Sequence, residues 1–555
     1  MRFIPKGPSA KQDSALKPIR PPSGHFFFAG RTFERESIFL HIPIDGDNDF
    51  NAAITGIKWW KDRNLRTLYI YIVVLILTNT ANGFDGSMMN GLQTLKYWKE
   101  YFDYPDGSIL GIYNSSMSLG SLIGLFFVPY VIDHWGRRWG IIIGCIIMLL
   151  AVGLQSGAKN FGMFVAARII LGFGDSIMLG AAPLLITEIS HPQDRAILVT
   201  LSGASYHTGS FIASWVTYGT LKIQSDWSWR LPSLLQSICS VLILVMMWWI
   251  PESPRWLINK DRSDEALKVL AHYHANDNDQ DEFVQLEFNE IRTAIELDKL
   301  ADKNGWLDLV KAKGNRKRMG IITAIALFSQ WSGNGLISYY LHQVMNNVGI
   351  TDPQTQLGIN GGMKTWSLIV NISMSFAVDR LGRRPIYLIS TIGTFIAFTI
   401  WTIISARFVI APVNGLGHAF VFMIFVYNTF YGFKSGLMPA YTAEILPYGI
   451  RAKGFTWMNF CVSAALFFNQ YVNAIALKAL AWKYYLFYVV FLAFECLVIY
   501  YFVIETRYTP LEEIAKFFDG KDAVDLAELA NSEMKDMRMK EGDVKETGVE
   551  NKELR

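Results

Sequence analysis

The feature that most restricts this chain is a succession of apolar runs. Each is about twenty residues long, the length a helix needs to cross a hydrocarbon layer. Twelve are legible: near 68–94, 108–131, 138–157, 161–187, 197–221 and 231–250, then near 320–346, 358–378, 385–406, 418–444, 453–477 and 484–504. They form two sets of six around a polar gap. Backbone surrounded by lipid must satisfy its own hydrogen bonds, so such runs have to be helices. The predicted fold is therefore an all-α membrane protein of twelve transmembrane helices in two pseudo-symmetric six-helix bundles. Composition agrees: 51% of residues are hydrophobic, 18% are charged and mean hydropathy is +0.23. Soluble chains are about a quarter charged. A net charge of +3 offers no footprint for nucleic acid.

The expected organisation is an N-terminal arm over 1–66, a first bundle over 67–250, linker helices over 251–319, a second bundle over 320–504 and a tail over 505–555. MRFIPKGPSA leads into no short apolar core, so no cleavable signal peptide is expected. Lys and Arg mark the cytoplasmic side of a membrane protein. Lys58, Lys61, Arg63, Arg137, Arg138, Arg195, Arg380, Arg383, Arg384, Arg451 and Lys453 all fall on one side if the spans alternate. Both termini, the linker helices and the tail are then expected in the cytoplasm, with the plasma membrane as location. DEALKVLAHYH and EFVQLEFNEIRTAIELDK in the gap show helical apolar spacing. Cys145, Cys239, Cys461 and Cys496 sit inside apolar runs and read as buried thiols. No metal, cofactor or enzymatic set of residues is expected.

A charged turn is written twice. D-x-x-G-R-R occurs as Asp133, Gly136, Arg137, Arg138 and again as Asp379, Gly382, Arg383, Arg384, between the second and third spans of each set. Pro183, Glu188 and Arg195 after span four match Pro439, Glu444 and Arg451 after span ten in spacing. Paired motifs at equivalent places indicate an internal duplication. Glycine permits the tight turn. These charges, with Glu252 from PESPRWL, are expected to clasp the two halves together on the cytoplasmic side.

On these motifs the chain resembles the sugar porter branch of the major facilitator superfamily. The resemblance runs over roughly 65–520 and includes R-x-x-x-G-x-G at Arg168, Gly172 and Gly174, and P-x-Y-x-x-E-x-x-P-x-x-x-R from Pro439 to Arg451. GFDGSMMNGL and WSWRLPSLLQ are further similar to the fungal lactose-permease and hexose-transporter subgroup. The resemblance implies alternating access around a central sugar site. It also has departures. Ile504 stands for the Pro of the last motif, Leu185 for the Tyr of the first P-x-Y-x-x-E, and Gly203 falls where many hexose carriers hold a Gln. Span seven reads S-Q-W-S-G-N-G, with Ser329 for the first Gln and Asn334 one residue early.

Ionisable groups at membrane depth are costly and default to function. Asp85 and Arg168 fall at similar depth, and proton-coupled members of the resembled family carry an acid and an arginine there. They are the expected proton-coupling pair. Asp175 is assigned to the inner clasp, Lys434 has no nameable partner, and His207 reads as a packed interhelical histidine. A sugar needs amides and aromatic rings. Gln330, Trp331, Asn334, Tyr339 and Tyr340 of span seven are the candidates, with Asn459, Asn469 and Gln470 of span eleven. The expected function is proton-coupled symport of a disaccharide, oligosaccharide or hexose by a monomer in the lipid bilayer. An organic-acid or polyol carrier, or a non-transporting sensor, is the alternative.

Overall fold

The computed structural model describes residues 59–301, 306–411, 414–434, 436–507, 514 and 517–519, without the side chains at 196, 297–301, 375, 376, 378–380, 414, 448, 449 and 452. Expectations for the N-terminal arm before residue 59 and for the tail after 519 lie outside the described residues. Every regular element among the described residues is helical.

The first set comprises α1 (Arg63–Leu92), α2 (Lys96–Tyr101), α3 (Gly107–Gly124), α4 (Val128–Trp135), α5 (Arg137–Ser156), α6 (Phe161–Ile189), α7 (Arg195–Thr220), α8 (Trp227–Leu235) and α9 (Ser237–Met246). Four linker helices follow: α10 (Pro254–Asn259), α11 (Ser263–His274), α12 (Glu282–Ala301) and α13 (Asp308–Lys311). The second set is α14 (Lys313–Trp331), α15 (Asn334–Asn346), α16 (Pro353–Leu381), α17 (Arg383–Ile410), α18 (Asn414–Phe433), α19 (Leu437–Ile445), α20 (Tyr448–Leu480) and α21 (Tyr484–Phe502). Twelve spans result, because α3–α4, α8–α9, α14–α15 and α18–α19 are each one span in two pieces.

The breaks have local causes. Gly333 between α14 and α15 has φ +92°, and Gly436 between α18 and α19 has φ +79°, a region that L side chains avoid. The α3–α4 pair bends by 49°, which carries Asp133 onto a helix rather than into the expected loop. Seven segments among the described residues are apolar and long enough to cross a membrane, and the bent pair makes an eighth. One of the seven, Lys453–Phe502, contains two helices, most of α20 and all of α21. The spans that fall short are α7, α14–α15 and α16. Their interior faces carry polar side chains: Ser202, Ser205, Ser210 and Ser214 on α7, Asn360, Ser367 and Asn371 on α16. A helix that faces a polar interior can have an apolar surface without an apolar composition.

Glycine brings backbones together within the first half. A Cβ on Gly172 of α6 would stand 1.9 Å from the Met117 carbonyl oxygen of α3, and one on Gly174 would stand 3.0 Å from the Gly144 carbonyl of α5. The R-x-x-x-G-x-G motif therefore lets one helix pack closely on two others, the small-residue strategy of membrane interiors. Across the halves, α3 packs on α20 and α7 on α16.

The cores reveal the state of the molecule. One hydrophobic cluster runs through both halves at the face away from the GRR turns, uniting Met88, Trp98 and Tyr113 with Leu336, Phe398 and Tyr485. Towards the GRR turns there are two clusters instead. One is built from the first half around Leu75, Cys145 and Met178, the other from the second half around Ile325, Tyr387 and Ile499. The halves are thus sealed at the far face and unsealed at the motif face.

The linker docks on the first half through Glu287 of α12. Its carboxylate holds His274 Nδ1 of the linker's own α11 at 2.7 Å and meets Arg195 of α7 at 3.6 Å, and the His274 ring reaches the Ile189 carbonyl of α6 at 3.3 Å. Beside them burial, helped by the His274 charge, pushes the His191 imidazole down to about 4.

Gly172→Leu is expected to force α3 from α6 and to cost about 1–3 kcal/mol or more of stability. The melting temperature of the purified protein in detergent measures it, and an unchanged value would contradict the close approach.

Candidate functional site

Helices α5 and α17 both start at a glycine that has no capping side chain, at φ +99° for Gly136 and +89° for Gly382. Their first N–H groups need acceptors. A distant glutamate supplies them in each half. Glu252 accepts from the backbone N–H of Arg137 at 3.0 Å, Arg138 at 3.2 Å and its neighbour Ser253 at 2.9 Å. Glu505 accepts from Arg383 at 3.0 Å, Arg384 at 3.1 Å, Thr506 at 3.0 Å and Arg507 at 2.8 Å. A Cβ at Gly136 would lie 2.4 Å from the Glu252 carboxylate, so the turn needs glycine for space as well as for φ. Burial pushes the Glu252 carboxyl up, offset in part by those N–H bonds. At the more open Glu505 burial also pushes up, but the four N–H bonds outweigh it and hold the carboxyl below its usual range.

The arginine side chains complete the arrangement. Arg137 pairs with Glu188 at 3.0 Å and more loosely with Asp133 at 3.9 Å, while Arg383 pairs with Glu444 at 3.0 Å. Arg138 donates to the Trp248 carbonyl and Arg384 to the Tyr500 carbonyl. Arg195 and Arg451 reach back to the Ser190 and Leu446 carbonyls, each five residues earlier. The Asp379 side chain lies outside the description. These ion pairs join helices of the same half, which corrects the expected clasp between halves in this conformation. The reason lies in the duplication: each copy carries both its arginines and its acid, so each set closes on itself. Glu505 was missing from the expected set. Its signal was the match of Glu505-Thr506 to Glu252-Ser253. Ile504, where the family has Pro, donates its N–H to the Tyr441 hydroxyl at 3.1 Å, a bond proline could not make.

At membrane depth the expected pair is offset. Arg168 is buried and donates to the Asp85 backbone carbonyl at 3.3 Å, not to its carboxylate. Among the described residues, both carboxylate oxygens of the fully buried Asp85 lack a hydrogen-bond partner, as does Oδ1 of Asp175 one helix away. Lys434 does have a partner. Its ammonium meets Glu495 of α21 at 2.7 Å and the Ser332 hydroxyl at 2.9 Å, and lies 5.2 Å from the Tyr431 ring centroid. Ser332 in turn donates to the other Glu495 oxygen at 2.7 Å, and Tyr427 donates to the Ser332 carbonyl at 2.7 Å. Glu495 was overlooked, although an acid inside FYVVFLAFECLVIYYF meets the same criterion as Asp85.

The expected sugar ligands separate into two groups. Gln330, Asn334 and Tyr339 are part-exposed on the inner surface of α14–α15. Asn334 is in reach of the Tyr431 hydroxyl but leaves its own buried carbonyl oxygen unpartnered. Tyr339 lies by Gln470. Gln470 also accepts from Ser118 of α3, so it bridges the halves. The other group is structural here. The Trp331 ring packs on Phe468 and Phe491 with its N–H on the Ala465 carbonyl at 3.0 Å. The fully buried Tyr340 donates to the Gln470 carbonyl. Asn469 braces the Gln330 carbonyl at 2.6 Å and accepts from Asn473 and Tyr488. Asn459 is exposed on α20, about 15 Å along the helix from Asn469. Periodicity marks the inner face of a helix but not which inner residues are already spoken for.

Sequence reading also missed a polar seam at the far face. Asn90 donates to Asn360 at 3.1 Å, Asn360 to Ser214 at 3.3 Å, and Gln93 to the Tyr339 carbonyl at 2.9 Å. Each bond joins one half to the other.

Glu495→Gln leaves the Lys434 cation buried without its counter-charge and is expected to cost about 3–5 kcal/mol. Replacing both by methionine is expected to recover most of that loss. Thermal unfolding of the three proteins in detergent reads both effects, and a stable single variant would refute the pairing.

Comparison with known proteins agrees with this geometry. Residues 71–518 match the family described as "Sugar (and other) transporter". A high-affinity glucose transporter of Kluyveromyces lactis is 27% identical over 480 residues, covering 83% of this chain and 86% of its own. A probable quinate permease of Aspergillus flavus is 26% identical, covering 81% of this chain and 88% of its own. Among solved structures, the inward-open xylose transporter XylE from E. coli matches with a TM-score of 0.68 at 20% identity, covering 81% of this chain and all of that one. The match spans both bundles and the linker between them, and the chain belongs to the sugar transporter family of the major facilitator superfamily.

Proposed function

We propose that this chain is a proton-coupled symporter of a hexose- to disaccharide-sized sugar, a monomer working by alternating access in the plasma membrane. The motif face, with both termini and the linker, is cytoplasmic in this reading. The bundles are taken as 67–250 and 320–504, with 1–66, 251–319 and 505–555 as arm, linker and tail.

The observation that carries the proton role is the unpartnered Asp85 carboxyl beside Arg168. A bare carboxylate in this setting costs several kcal/mol, and a proton removes the charge. Re-pairing with Arg168 stabilises the carboxylate instead. Two states of one carboxyl then favour two arrangements of the first half, and the proton gradient biases the choice between them. The solute binds between Gln330, Asn334, Tyr339 and Gln470, while Glu188, Arg137, Arg195, Glu252, Glu444, Arg383 and Arg451 keep each bundle rigid at its cytoplasmic end. The quinate permeases among the relatives favour an organic acid as second reading. Lys434 does not serve as its anion-reading charge, because Glu495 already neutralises it.

In proteoliposomes, Asp85→Asn is expected to lower acid-driven accumulation of a labelled sugar to a ratio of about one while leaving exchange across the membrane intact. Acid-driven accumulation that survives in the variant sinks the proton role. Saturable uptake by the wild type that ignores an uncoupler demotes the protein to a facilitator.

A further inference from the structure

Lys364 is the charge that neither the duplicated motifs nor Asp85 explain. It lies about eleven residues into α16, or about 16 Å along the helix, near the middle of a hydrocarbon core of about 30 Å. Its direction is fixed by its neighbours. Trp366, Ile369 and Ile372 are 40%, 50% and 45% exposed and form the outward face of α16. Asn360, Lys364, Ser367 and Asn371 recur at helical spacing on the opposite face. Asn360 touches Asn90 and Ser214 of the first half, and Ser367 accepts from Asn428 of α18. Lys364 stands between them, so it points into the protein and not at lipid.

It is also uncompensated. Its ammonium makes no hydrogen bond and no ion pair among the described residues, whereas Lys434, the other lysine at depth, has Glu495. The facing element is α7, which packs against α16. His207 of α7 lies two turns from Ser214 on the same side of its helix, and Ser214 meets Asn360, one turn from Lys364 on α16, so the two side chains share the facing sides of the two helices on the motif side of that contact. One turn further towards the motif face is Gly203, where an added Cβ would meet nothing within 4 Å. The lysine, the histidine and open space thus come together where the halves part. A cation at this depth without a protein counter-charge calls for one from outside.

We propose that Lys364, with His207 facing it, is a carboxylate-binding subsite, and that the solute is a polyhydroxylated acid, a sugar or cyclitol bearing one carboxylate. The inference rests on reading the space between the halves as the solute site. Lys364 supplies the ion pair, His207 a hydrogen bond to the second carboxylate oxygen, and the amides of α14–α15 take the hydroxyls. A lysine reads the carboxylate as a point charge, and such charge-assisted bonds are about twice as strong as neutral ones.

The test uses the full chain in nanodiscs and matched pairs: D-galacturonate against D-galactose, D-gluconate against D-glucose, quinate against a neutral cyclitol. The acid of at least one pair is expected to bind about tenfold or more tighter than its neutral partner. Lys364→Gln is expected to abolish that preference while the neutral partner's affinity stays within about twofold. A neutral partner that binds as well as its acid in every pair overturns the proposal, as does a preference that survives Lys364→Gln, or no binding of any acid. Uptake into proteoliposomes separates the two claims. Acids that bind with preference but are never carried defeat the carrier reading and leave the subsite standing. Acid-driven uptake of neutral sugars alone keeps the carrier and defeats the subsite.

Discussion

Everything in this molecule follows from the cost of an unsatisfied polar group away from water. In a helix the backbone satisfies itself, so the lipid-facing surface is helical and apolar. Any exception must be enclosed and supplied with partners. The two glycine breaks in the second half are such exceptions. They are tied by one buried cluster: Lys434 just before the second break, Ser332 just before the first, and Glu495 on a third helix. An ion pair of this kind is not a source of net stability, since desolvation offsets its attraction. It fixes which ends of which helices stay together.

The sequence was legible where lipid made the rules. Twelve spans, their order and the duplicated charged turn could all be read, because hydrocarbon leaves few choices. Span ends shifted by several residues, as when α1 began at Arg63, after the Asp62 cap and five residues before the expected start. The interior was less legible. Trp331 and Gln330 are neighbours on one helix, and nothing in their order tells that the indole packs in its own half while the amide stays part-exposed and meets only its neighbour Ser329 among the described residues. Glu495 and Lys364 were visible as letters but their consequence was not, because it depends on which helices pack together. Partnership is a property of three dimensions, and one charge has its partner 61 residues away while the other has none among the described residues.

The two faces divide the work. At the far face a shared apolar cluster and a seam of asparagine and glutamine bonds hold the halves together. In the proposed cycle this is the contact that opens, and neutral amide bonds are weaker than charge-assisted ones. At the motif face the strong ion pairs stay within each half. Strength is placed where the structure must not change, and modest polar contact where it must.

The glutamates after the sixth and twelfth spans, Glu252 and Glu505, grip the start of the third and ninth. Each bundle is thereby strapped from its last strut to an inner one, like a barrel hooped at one rim. A hooped bundle transmits a push as a whole. In the proposed cycle, a displacement begun at a single acid in span one is then not absorbed by local slack near its origin, and the lever arm available to gating is the full length of the bundle.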